Sequence, residues 1–298
     1  MFPIRIFCVF LIVLNGYSLS AQDSSLEQAN SLIKKGSIKE ARELLLASYN
    51  KRKDPKITER LGDVYGIEKN WDEASKYYKE LVNQFPENAN YHFKYGGVLG
   101  MIALESKIRA LSVLGDVKKH FKKAAQLDPE NLEVRWASID LYLKLPGILG
   151  GSTDKAYQYS KELSSISPLE GFLSKAFIEK EEGNSDLAEV YNKRALDMVA
   201  EKGFPTRTYK RKDIHYQIGE VSANYNYKKQ VGIHHLLTFE SLYSPESVIP
   251  LSDVYMQLAK LYRLQNDKEK ASFYLQKAKE VNPSDEKFEK EAALINKL

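Results

Sequence analysis

A single cysteine, Cys8, is all the thiol the chain contains, and it lies inside the apolar run "IFCVFLIVL" (6–14). A disulfide framework is therefore excluded, and so is a thiol nucleophile paired with histidine if that run is removed. Histidine is scarce too: His92, His120, His215, His234 and His235 are the whole set. No HExxH spacing occurs among them, and the adjacent His234 and His235 point about 100° apart on a helix, so they cannot share one metal. No GxSxG nucleophile elbow is present. The apolar run near the start falls well short of the ~20 residues needed to span a bilayer. Neither sign of charge dominates: 44 basic residues face 40 acidic ones, a net charge of +4. Such a balance does not argue for nucleic acid or an anionic membrane as partner.

One basic residue, the short apolar core and the tail ending Leu19-Ser20-Ala21 read as a signal peptide over 1–21, cut before Gln22. The expected location is accordingly exported, periplasmic or secreted, with a membrane-anchored form as the alternative if the segment is retained. Cys8 is not at the end of the apolar core, where a lipoprotein acylation site would place it.

What is abundant is a recurring pattern. In "RLGDVYGIEKNWDEASKYYKELVNQFPEN" Gly62 is followed by Tyr65, Ala74, Tyr78, Leu81 and Pro86. In "QLAKLYRLQNDKEKASFYLQKAKEVNPSD" Ala259 is followed by Tyr262, Ala271, Leu275, Ala278 and Pro283 at the same offsets of +3, +12, +16, +19 and +24. The small residues allow two helices to cross closely, the large ones fill the space beside them, and the proline ends the second helix. This pattern resembles the tetratricopeptide repeat. Weaker copies begin at Ala29 and Gly96, at "LEVRWASIDLYLKL", at Ala176 and at Gly219.

The fold expected is all-α: a tetratricopeptide-like α-solenoid, a right-handed superhelix of about seven helix-turn-helix repeats over 22–283. "SDEKFEKEAALINKL" (284–298) would be the polar C-terminal capping helix such arrays need. Insertions fall near 101–113, 146–152 and 201–213.

The stretch "KLPGILGGSTDKA" (144–156) invites comparison with a phosphate-binding loop. It follows a helix-like run instead of a strand, and Gly151 is followed by Ser152 and Thr153, with Lys155 too late for GxxxxGK[ST]. The expected reading is a corner: Pro146 stops one helix and Ser152 or Thr153 caps the next. "TRTYKRKDIHY" (206–216) mixes basic and aromatic residues and is read as a solvated approach to a helix.

The resemblance implies that the first helix of each repeat lines a concave binding surface. Transferred to this chain, the row is Lys56, Glu59 and Asp63; Asn90, Phe93 and Gly97; Glu133, Trp136 and Asp140; Glu170, Leu173 and Phe177; Asp213, Tyr216 and Glu220; and Asp253, Met256 and Lys260. The binding residues expected are Glu59, Asp63, Phe93, Trp136, Asp140, Phe177, Tyr216, Glu220, Met256 and Lys260. The Lys/Asn/Arg cluster with which chaperone-docking relatives hold a C-terminal carboxylate is missing. The expected function is a non-catalytic scaffold without cofactor or metal. It would bind a protein or peptide with basic and apolar anchors, and not nucleic acid. The alternative is a membrane-tethered assembly factor that contacts a membrane protein through the apolar insertion 101–113. An enzyme or a glycan binder on a helical array ranks below both.

Overall fold

A computed structural model of the chain describes residues 24–201, 209–211, 213–244, 247–283 and 286–298. The signal peptide expected over 1–21 and most of the insertion expected near 201–213 lie outside them. The described residues form fifteen α-helices and no strand. Contacts group them into two compact units that meet in sequence at Pro129 and Glu130.

The first unit comprises α1 (24–34), α2 (Ile38–Lys51), α3 (Pro55–Ile67), α4 (Trp71–Gln84), α5 (Ala89–Glu105) and α6 (Lys107–Leu127). The starts of α3, α4, α5 and α6 are each fixed by a short polar side chain. Asp54 accepts from Lys56 N–H with Pro55 in the first turn, and Asn70, Asn88 and Ser106 likewise accept from Glu73, Tyr91 and Arg109. Ala29, Ile33, Ala41, Leu45, Ile57, Leu61 and Val64 are buried together between α1, α2 and α3.

The spacing noted in the sequence has a direct steric basis. A Cβ added at Gly62 would come within 2.7 Å of the Tyr78 ring, and one at Gly96 within 2.7 Å of Phe121. Only a hydrogen at these positions lets the second helix of each hairpin lie this close. The insertion at 101–113 adds no loop. It lengthens α5 to 17 residues and α6 to 21, against 13 and 14 in α3 and α4.

The second unit holds α7 (Leu132–Lys144), α8 (Thr153–Ile166), α9 (Pro168–Glu181), α10 (Ser185–Glu201), α11 (Ile214–Tyr225), α12 (Lys229–Ser241), α13 (Leu251–Arg263), α14 (Lys268–Val281) and α15 (Lys287–Ile295). Gly219 repeats the close approach, since its Cβ would meet Leu236 at 2.3 Å. α15 buries Phe288 and Ile295 while Lys287, Glu289 and Lys290 stay exposed. Its buried Glu291 accepts from Arg263 of α13 at 2.5 Å.

The corner between α7 and α8 is built as a helix stop followed by a helix cap. A 3-10 turn at Gly147–Leu149 ends on Gly150 in the left-handed region (φ 83), and Ser152 caps α8 by accepting from Lys155 N–H. Gly151 is obligatory for packing, because a Cβ there would sit 1.8 Å from the Leu145 carbonyl oxygen.

Candidate functional site

The expected binding row is real as a set of helix positions. All ten side chains are half-buried: Glu59, Asp63, Phe93, Trp136, Asp140, Phe177, Tyr216, Glu220, Met256 and Lys260. They fall in two groups, three in the first unit and seven in the second.

In the first unit the carboxylates are already engaged. Lys94, on α5, reaches both Glu59 and Asp63 of α3 at 2.7 Å. Asn90 donates to Glu59 at 2.7 Å, and the buried Tyr78 hydroxyl donates to Asp63 at 2.6 Å. Burial works against the Lys94 charge, but Asp63 and Glu59 outweigh it and raise its pKa. Burial pushes the Tyr78 hydroxyl up, reinforced by Asp63, so it remains a donor. Phe93 leans on Phe121 of its own hairpin, ring centres 6.0 Å apart.

In the second unit a different residue closes the row. Arg211 precedes α11 in the basic stretch that the sequence suggested was solvated, yet it is only 7% exposed. This corrects that reading for Arg211. Its guanidinium lies 5.0 Å from the centre of the Trp136 ring. It forks onto Glu170 through Nε at 3.2 Å and a terminal nitrogen at 2.9 Å. It also donates to Asp213 and Gln217, both at 2.6 Å. Glu170 is 2% exposed and takes a further hydrogen bond from the Trp136 indole at 2.7 Å. A planar fork against a carboxylate, set over an indole ring, is a geometry that arginine makes and lysine cannot. Tyr209 of the same linker packs edge-on against His215.

Asp140 pairs with Lys144 one turn along α7. Further along, Phe177 packs against Trp136 at 6.0 Å and Tyr216 against Phe239 at 6.0 Å. Tyr216 and Met256 rest against the core of the last hairpins. Glu220 is the least engaged carboxylate of the row, accepting a long hydrogen bond from the Tyr216 hydroxyl at 3.4 Å. Burial raises its pKa, while Lys180 and Lys260 pull the other way. Burial lowers that of Lys260, which donates to Asn224 at 2.8 Å.

Two histidine pairs were not foreseen. His92 and His120 meet Nδ1 to Nδ1 at 2.7 Å, and His215 and His235 at 2.8 Å; all four are buried. His92 Nε2 faces the Pro86 carbonyl at 2.9 Å. A carbonyl only accepts, so Nε2 carries the proton, His92 Nδ1 accepts, and His120 Nδ1 donates. His92 and His215 each lie four residues before the close-approach glycine of their hairpin, a signal available from aligning the copies on Gly96 and Gly219. Among the described residues, no group of three or more His, Cys, Asp or Glu could hold a metal ion. No helix among them is long and apolar enough to cross a membrane.

With these hairpins in view, comparison with known proteins is informative. Two segments match tetratricopeptide-repeat family models: residues 59–88, which take in most of α3, all of α4 and the turn after it, and residues 252–285, essentially α13 and α14. The molecule is a helical repeat protein. The two matched segments are tetratricopeptide repeats, as the spacing that starts at Gly62 and at Ala259 implied.

 Among solved structures, the chain is similar to a tetratricopeptide repeat protein from Parabacteroides merdae: 17% identity over 92% of this chain and 98% of that one, TM-score 0.48. It is also similar to a thermophilic tetratricopeptide repeat protein of Thermus thermophilus, at 17% identity over 67% of this chain and 97% of that one, TM-score 0.49. A third is the C-terminal part of a repeat protein from Cytophaga hutchinsonii, at 16% identity over 89% and 98%, TM-score 0.45. No curated protein matches the chain.

Proposed function

We propose that the protein is an exported, non-catalytic scaffold that binds a protein or peptide segment along the first-helix face of its later repeats. The tetratricopeptide fold suggests a protein-interaction scaffold in general. The observation that carries the finer reading is the half-buried row Phe177, Tyr216 and Met256 on α9, α11 and α13. Partly exposed rings on rigid helices give apolar anchors at low entropic cost. Most carboxylates beside them are paired within the chain, so the partner is read mainly through apolar side chains. Glu220, held within the chain by a long hydrogen bond from Tyr216, is the acid placed to receive a basic residue.

The test is affinity capture from cell-envelope extracts with the purified protein and with the Phe177→Ala, Tyr216→Ala, Met256→Ala variant, after circular dichroism has shown the variant to be folded. Loss of a specific partner in the variant supports the reading; unchanged capture refutes this face. Export is tested separately, by the N-terminal sequence of the protein recovered from cell fractions. A start at Gln22 supports it, and a start at Met1 in the soluble cytoplasmic fraction overturns it.

A further inference from the structure

The extended hairpin of the first unit carries an unusual surface. Leu104 is 64% exposed, Ile108 85% and Leu111 68%, and Met101 is exposed beside them. The same hairpin holds three helical glycines that no internal contact requires. A Cβ added at Gly97, Gly100 or Gly115 would meet nothing within 4 Å, unlike the crowded Gly62, Gly96 and Gly219. Helix-interior glycine carries a conformational cost relative to alanine. At Gly62 and Gly96 that cost is offset by close packing inside the chain; at Gly115 nothing in the chain offsets it.

The tip is also held firmly. Ser106 caps α6, the Trp71 indole donates to Glu105 at 2.6 Å, and Arg109 pairs with Asp72 of α4. The exposed leucines and isoleucine are therefore displayed on a fixed frame.

Ile108 and Gly115 are seven residues apart, two turns of helix, and so lie on nearly the same line of the exposed face of α6. We infer that this face docks antiparallel against α6 of a second copy of the chain. A two-fold axis between Leu111 and Ser112 places each Ile108 side chain over Gly115 of the other copy, because the two positions are equally far from the axis. Knob and notch on one face, at matching distances, make the surface complementary to itself.

Charge agrees with the same register. One residue further from the axis, the exposed Asp116 comes opposite the first turn of the other α6, whose positive end favours a carboxylate. The exposed Lys119 and Lys122 then lie at opposite ends of the pair, whereas a parallel arrangement would set them against each other. Hydrocarbon chains of a lipid surface would draw no benefit from a glycine notch, which rewards a rigid backbone. The apolar surface is modest beside a standard interface, so a dissociation constant on the order of micromolar is expected.

The experiment is sedimentation equilibrium of the purified protein, with Gly115→Leu and Ile108→Glu measured alongside. Dimer is expected for the parent, and each variant should raise the dissociation constant at least about tenfold. Leucine has the higher helix propensity and the site is open, so Gly115→Leu should melt no lower than the parent. A second readout uses Ser112→Cys in a Cys8→Ser background. It should cross-link under mild oxidation far faster than Ser272→Cys, an exposed position on α14. A parent that stays monomeric at high micromolar concentration, with no preferential cross-linking at position 112, overturns the proposal. So does a dimer that neither variant weakens.

Discussion

The two units meet the same electrostatic problem in different ways. Each sets carboxylates on the first helices of its repeats, and each must neutralise them. In the first unit Lys94 does so from within the array, bridging Glu59 and Asp63 from the neighbouring first helix, with its side chain still about a quarter exposed. In the second unit the cation comes from outside the helices. Arg211 sits in the linker before α11 and is buried against Glu170 and Trp136. A lysine on a helix spans two acids and keeps contact with water. An arginine on a linker seals one acid off from it. The lesson is that an acidic row in a repeat sequence does not make an acidic face.

That contrast is most sharply broken at Arg211. Arg211→Ala leaves the buried Glu170 carboxyl without its fork, and should cost about 3–5 kcal/mol in denaturant unfolding followed in the second unit. Arg211→Lys should recover only part of this, since an ammonium cannot reproduce the planar fork.

The histidine pairs come next, one in each unit. Burial, with the paired ring, lowers the pKa of His120 to about 4 and that of His235 to about 3. Burial lowers His215 as well. A lowered histidine pKa means that the folded state binds fewer protons than the unfolded state. The stability it contributes is present above the unfolded value near 6.5 and is lost as the pH falls toward the folded value. Between pH 7 and pH 4 each pair should therefore cost the fold about 2–3 kcal/mol. Acid titration of His120→Asn and His235→Asn against the parent isolates the two contributions; identical curves for parent and variants would show that the pairs do not matter.

A smaller effect is expected at Lys94. Lys94→Ala removes two ion pairs, but Asn90 and Tyr78 still donate to Glu59 and Asp63. The cost should be about 1–2 kcal/mol by thermal or denaturant unfolding, well below that of Arg211→Ala. If the two substitutions cost the same, the distinction between an open and a sealed cation fails.

The smallest effect has the opposite sign. Gly115→Ala should stabilise the folded monomer by roughly 0.5–1 kcal/mol, measured at concentrations below those of self-association, because the added methyl meets no atom of its own chain. The same change at Gly219 drives a Cβ into Leu236 and should destabilise it. Melting temperatures of the two variants measured side by side decide this.

Much of the fold was legible because its signals are local. Gly62 with Tyr78 and Ala259 with Leu275 follow from spacing within a single hairpin, and the cap at Ser152 stands directly before its helix. The residues of the binding row were legible as positions. Their state was not, because pairing depends on neighbours one repeat away: Asn90 to Glu59, Trp136 to Glu170. Arg211 was misread for a related reason. It belongs to a linker with no helical period, and a cluster of basic residues gives no sign of which member turns inward.

The pairing of small and large residues also bears on how the chain folds. Tyr78 on Gly62, Phe121 on Gly96 and Leu236 on Gly219 each join two helices that are consecutive in the chain. Closing such a contact orders little more than one hairpin, so the entropy spent before the first favourable packing is small. A topology of this kind has low contact order and folds fast for its length, and nucleation can begin at any of several hairpins. A chain released from one end as it emerges could thus complete its early hairpins while the later ones are still unformed.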